Sequence, residues 1–196
     1  MKYFLLSAIT LLCGINLYSQ SSFIMSYPIG FPMGNLHDYI SKTSYQGINL
    51  EFLKTAKPGV SVGLETGWNV FYEKADKATY KDGTTSISGV TFRYTNAVPI
   101  LAESKWYPMH ETKVTNPYVG VGVGTLFVSR STDFGLYRIT TDSWQFCVRP
   151  EAGVLFSIEP GLKAMLGAKY YPGFNTSKLD GQGFLSINVG FVFSSL

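Results

Sequence analysis

From residue 20 onward, apolar side chains recur at every second position along almost the whole chain, and no stretch keeps them at helical spacing for three turns. A period of two places successive side chains on opposite faces of an extended strand, so the chain must form sheet with one apolar and one polar face. The clearest run lies near the C-terminus, where Leu185, Ile187, Val189, Phe191 and Phe193 alternate with Ser186, Asn188 and Gly190. Val119, Val121, Val123 and Phe127 stand opposite Gly120, Gly122 and Gly124. Trp144, Phe146, Val148, Ala152, Val154 and Phe156 alternate with Gln145, Cys147, Arg149, Glu151 and Gly153. Weaker alternation over 22–32, 45–53, 60–72, 90–107 and 162–171 completes eight predicted strands.

The segments between these strands alternate in kind. Residues 54–59, 108–116 and 159–161 are the shorter links, and 34–43, 73–88, 131–142 and 172–181 the longer ones. That rhythm predicts an all-β fold, an eight-stranded antiparallel up-and-down barrel with short turns at one end and longer loops at the other. A closed barrel has no edge strand to host proline, so Pro28, Pro99 and Pro150 are expected to mark bulges or strand ends.

Residues 1–19 read as a signal peptide: Lys2 gives the positive start, Phe4 to Cys13 the apolar segment, and Leu17-Tyr18-Ser19 the cleavage site. Acylation at Cys13 is disfavoured by the bulky Leu12 before it. Residues 20–196 then form one domain, with Cys147 as its only cysteine and no possible internal disulfide. No later segment supplies the roughly 20 apolar residues of a spanning helix.

Alternation alone does not say which face is wet, and charge decides it. Only 15% of residues are charged, against roughly 25% in soluble domains. Every strand charge falls on the polar face: Glu51, Glu65, Arg93, Glu103, Lys105, Arg149, Glu151, Lys163 and Lys169. An eight-stranded interior is only just wide enough for side chains, so the bulky apolar face belongs outside, in lipid. The nine charged residues are then expected to pair in the lumen, with Arg149 and Glu151 joining Glu65 or Glu103. Phe71, Leu101 and Tyr107 fill it further, and no steady conductance is expected. Tyr72, Trp106, Trp144 and Phe193 sit at strand ends, as an interfacial aromatic girdle requires. The alternative is a soluble periplasmic binding barrel, similar to lipocalins, with the apolar face inside.

GVSVGLETGWNVFYEK (59–74), PYVGVGVGTLF (117–127), RPEAGVLF (149–156) and FLSINVGFVF (184–193) give the chain its family likeness. With its leader, it resembles the small eight-stranded outer-membrane β-barrel proteins of Gram-negative bacteria. The resemblance implies a monomeric transmembrane barrel in the cell outer membrane, in contact with its lipid and inserted by machinery that reads the C-terminal strand. Such barrels usually finish on an aromatic residue; here Phe193 precedes Ser194, Ser195 and Leu196, so the insertion signal is kept in kind but displaced.

Sequence motifs for chemistry are sparse. His37 lies beside Asp38, Ser41 and Ser44, so a barrel enzyme acting on outer-membrane lipid is a second alternative. His110 falls in the opposite connector, too far away to cooperate. No metal or cofactor site is expected, since Cys147 stands alone and no histidine pair has ligand spacing. Gly120, Gly122 and Gly124 lack the helix of a nucleotide loop and are read as room for large lumen residues, with Gly122→Ser tolerated if space remains. A net charge of +3 without a basic cluster argues against nucleic acid. The outer loop 73–86, with Tyr80, suits surface recognition or simple solvation, its ligand unspecified. The expected role is therefore structural or surface-recognition, and non-enzymatic.

Overall fold

The computed structural model describes residues 20–82, 85–108, 114–134 and 137–195, with backbone alone for 76–82 and 85–89. The leader 1–19, including Cys13, and His110 lie outside the described residues, as does the side chain of Tyr80. Eight strands follow in order: β1 (Ser21–Met33), β2 (Gln46–Lys57), β3 (Val60–Asp82), β4 (Thr85–Trp106), β5 (Thr115–Phe134), β6 (Tyr137–Glu159), β7 (Leu162–Pro172) and β8 (Gly183–Ser194). A single helical turn, α1 (Asn35–Tyr39), follows β1. Each strand pairs antiparallel with the next, and β1 closes on β8 from Ser22↔Ser194 to Met33↔Gly183. The result is the eight-stranded up-and-down barrel.

Its faces are inverted relative to a soluble barrel. Leu64 is 64% exposed and Trp144 59%, whereas Glu51, Arg149 and Lys169 are fully buried. A lipocalin-like barrel would turn its apolar face inward; here that face forms the outer wall, the arrangement a hydrocarbon environment requires. Tyr72 and Trp144 project outward towards the loop end, and Trp106 and Phe193 towards the turn end, which also carries Gln20 and Ser195. Two turns at that end are Pro58-Gly59 and Pro160-Gly161, where the glycines take φ of 77° and 83°. A turn with proline first and a left-handed residue second demands this sequence.

Two of the predicted loops are in fact strand. Most of 73–88 and 131–142 extends the β3–β4 and β5–β6 hairpins well past the barrel body. Beyond a bilayer both faces of a hairpin meet water, so the apolar alternation that marks a strand disappears while ladder pairing continues, from Ala78↔Gly89 to Asp82↔Thr85 and from Ser131↔Thr140 to Phe134↔Tyr137. At one hairpin tip Arg138 donates to both oxygens of Asp133, at 2.6 and 2.7 Å, which holds that carboxyl below its usual range.

The prolines interrupt a ladder on one side without ending their strands. The β1–β2 ladder stops at Ser26↔Asn49, two residues before Pro28, while β1–β8 pairing continues through Pro28↔Asn188. The β3–β4 ladder skips from Thr66↔Ile100 to Asn69↔Ala97 around Pro99, while Pro99↔Leu126 holds on the other side. Pro150 pairs with Val121 but lies just past the last rung of β6–β7, Glu151↔Lys169. Each missing N–H is therefore confined to one neighbour.

Val121, 45% exposed on the outer wall, provides a test of the facing. Val121→Arg should cost about 2–4 kcal/mol near a bilayer midplane. Thr140→Arg, on the exposed extension of β6, should stay within about 0.5 kcal/mol. Urea titration of refolding into lipid vesicles reads both, and equal costs would contradict the assignment.

Candidate functional site

The lumen is layered. At its waist Arg149 meets Glu65 at 2.6 Å, Glu103 at 2.5 Å and also Glu151. Lys105 bridges Glu51 and Glu151, the latter at 2.8 Å. Lys169 bridges Glu51 at 2.5 Å and Glu65 at 3.0 Å. Tyr171 donates to Glu65 at 2.5 Å and links the ions to an amide chain, in which Asn69 donates to Asn49 at 3.2 Å and Asn49 to Asn188 at 2.8 Å. Period-two spacing puts all these groups inside, and the stagger of the closed barrel brings together residues as distant in sequence as Glu51 and Lys169.

Room for this cluster comes from β5. A Cβ at Gly122 would lie 3.1 Å from Arg149 Nε and 3.3 Å from Leu101 Cδ1. The space left by that glycine is narrow, so Gly122→Ser is tolerated only if Leu101 and the Arg149 guanidinium, held by its carboxylates, give by a few tenths of an ångström. Overpacking of this kind costs about 1–3 kcal/mol.

The remaining two charges are placed elsewhere. Arg93 lies towards the loop end and donates to the Tyr39 carbonyl at 3.0 Å. Lys163 lines a cavity at the turn end. The waist thus gathers Glu51, Glu65, Glu103, Lys105, Arg149, Glu151 and Lys169.

An apolar layer lies on either side. Towards the loop end, Phe71, Leu101, Leu126, Val128, Cys147, Tyr171 and Phe184 pack with Leu36, Tyr39 and Ile40 from α1 and its flank and with Leu179 from the β7–β8 loop. Tyr39 lies against two guanidinium groups, with Arg130 3.4 Å and Arg93 5.2 Å from its ring centre, and its hydroxyl donates to the Ser131 carbonyl at 2.9 Å. Asn35 donates to Gly181 at 3.1 Å, and Gln145 donates to Asp180 at 3.0 Å, so the two loops are tied to each other and to the wall. Sequence reading missed this cap. Its one signal was Leu36, Tyr39 and Ile40 at helical spacing, too short to stand out. Towards the turn end, Ile24, Leu53, Tyr118, Leu155, Met165 and Val192 form the second layer with Tyr107. Cys147 is a free, buried thiol facing the lumen.

Other candidates do not assemble. His37 is exposed on α1, the Ser41 hydroxyl donates to Glu73, and Ser44 Oγ faces the Val70 carbonyl. Glu51, Glu103 and Glu151 do offer oxygens within 4.8 Å of one another, a grouping that a search for histidine and cysteine passes over. Lys105 and Arg149 already supply positive charge to all three carboxylates, which makes this a cation cage closed by the protein itself.

No protein-family model matches the chain, and no curated protein matches it in sequence. Solved structures do match in shape. Neisserial surface protein A (NspA) aligns with a TM-score of 0.57 at 10% identity, over 89% of this chain and 95% of that one. Ail, the attachment invasion locus protein of Yersinia pestis, aligns at 0.55 and 12% identity, over 90% and 98%. OprG from Pseudomonas aeruginosa aligns at 0.53 and 13%, over 91% and 97%. The chain has the fold of the eight-stranded outer-membrane β-barrels. At these identities the likeness rests on strand order and closure, and the lumen chemistry of this barrel is read from its own residues.

Arg149→Met leaves Glu65, Glu103 and Glu151 short of a partner together, and stranding buried charge costs about 3–5 kcal/mol. Lys169→Met should cost less, because Lys105 still meets Glu51 and Arg149 still meets Glu65. Urea midpoints in detergent should therefore fall further for Arg149→Met. The reverse order would remove Arg149 from the centre of the network.

Proposed function

We propose that the protein is an integral outer-membrane barrel, exported by the leader 1–19, with a structural or surface-recognition role and no enzymatic activity. The observation that carries this reading is the lumen: among the described residues, an ion-paired waist is flanked by a buried apolar layer on each side, which supports a filled interior and not an open channel. Such an interior is a support. In this reading the loop end faces the cell exterior, the turn end faces the periplasm, and β8 presents Phe193 to the insertion machinery. The role then falls to the raised β3–β4 and β5–β6 hairpins, where Tyr137 and Ile139 are exposed on a paired ladder. Recognition on a paired hairpin needs less ordering on binding than recognition on a free loop.

Ail's structure contains a heparin analogue, sucrose octasulfate, which is a polyanion. The loop end of the present barrel mixes signs, with Glu73 beside Lys74 and Asp133 paired to Arg138, so a polyanion is not the ligand class we propose. A lipid-modifying enzyme is not favoured either, since Ser41 is held by Glu73 and the His37–Ser set is not assembled.

Planar-bilayer recording on the purified barrel tests the closed lumen. No stable, solute-permeable opening is expected, and brief small openings are compatible with rearrangement of the network. Steady nanosiemens-scale conductance that admits small sugars would overturn the reading and make diffusion the function.

A further inference from the structure

The turn-end mouth of the barrel holds a cavity of about 270 Å³ beneath the second apolar layer. This is near the lower end of the range for small-molecule sites, roughly 300–1,000 Å³. Thr55, Ser61 and Ser157 contribute hydroxyls to its walls. Asn116 also lines it, at only 2% exposure, and its Oδ1 has no hydrogen-bond partner. A buried amide oxygen left in this state favours a ligand that donates to it.

The chemistry of the lining narrows the ligand. Hydroxyls both donate and accept, so they match a group that does the same. Glu159 and Lys163 place one negative and one positive charge on the rim, which gives a simple anion or cation no net attraction. Tyr107, Leu155 and Val192 add apolar surface, with the Tyr107 ring backed by Tyr118 at 5.9 Å between centres. Alternating hydroxyls and apolar C–H faces are the surface of a pyranose ring. We propose that the turn-end mouth binds a neutral saccharide of one or two rings, with Asn116 accepting from a sugar hydroxyl and Tyr107 lying against a ring face.

Saturation-transfer NMR on the folded, detergent-solubilised protein tests this, with N,N′-diacetylchitobiose and maltose as probes and glycylglycine and succinate as zwitterionic and anionic competitors. Transfer to the ring protons of at least one disaccharide is expected, stronger than to either competitor. Asn116→Leu should weaken sugar binding by about tenfold or more, while Thr140→Ala, on the far hairpin, should leave it unchanged. Heat-modifiable gel mobility shows that each variant is folded, and Ser157→Val takes the place of Asn116→Leu if that variant is not. Absence of transfer to both sugars, stronger transfer to glycylglycine or succinate, or undiminished binding in the folded lining variant would each overturn the proposal.

Discussion

Arg149 is the group on which the interior depends. Its guanidinium reaches carboxylates from β3, β4 and its own strand, and those carboxylates share Lys105 and Lys169 with Glu51 of β2. Ions from β2, β3, β4, β6 and β7 are thereby fastened across the barrel rather than along it. The planar fork of arginine suits this position, since it meets several carboxylates at once and a lysine at the same place would offer a single ammonium. Burial of seven charges is costly, and it is offset by the partners that barrel closure brings within reach of each.

The glycines of β5 and the cap at the loop end follow from that centre. Side chains at 120, 122 and 124 would occupy the space that Arg149, Leu101 and the Lys105 stem now fill. With the waist ionic, water must be kept from both sides if the pairs are to remain strong. Tyr39 under Arg130 and Arg93 secures the loop-end cover, and Tyr118 in the opposite layer lies beneath Lys105, whose ammonium is 4.9 Å from its ring centre. The aromatic groups thus join the apolar layers to the charged one.

Strand existence and facing were legible because each strand within the barrel body has one polar and one apolar face. The pattern Leu185, Ile187, Val189, Phe191 against Ser186, Asn188, Gly190 survives unaltered in β8. Strand ends were less legible. Lys74 and Arg138 look like loop residues because charge on a hairpin beyond the barrel body carries no penalty, and only cross-strand pairing shows that the ladder goes on. The partners in the lumen were legible only as a set of charges, since barrel stagger decides that Lys169 meets Glu51 and that Arg93 meets Tyr39 instead of a carboxylate. The cap from α1 was hidden for a different reason: one turn of apolar spacing carries too little signal to separate a plug from a loop.

The whole structure rests on the facing of each strand within the barrel body, polar side inward and apolar side to lipid. Spin labels placed one at a time from Leu185 to Phe191 of β8, with the protein in bilayers, measure this most directly through collision with oxygen, which concentrates in lipid. High oxygen accessibility is expected at Leu185, Ile187, Val189 and Phe191, and low accessibility at Ser186, Asn188 and Gly190. A reversed alternation, or none, would contradict it.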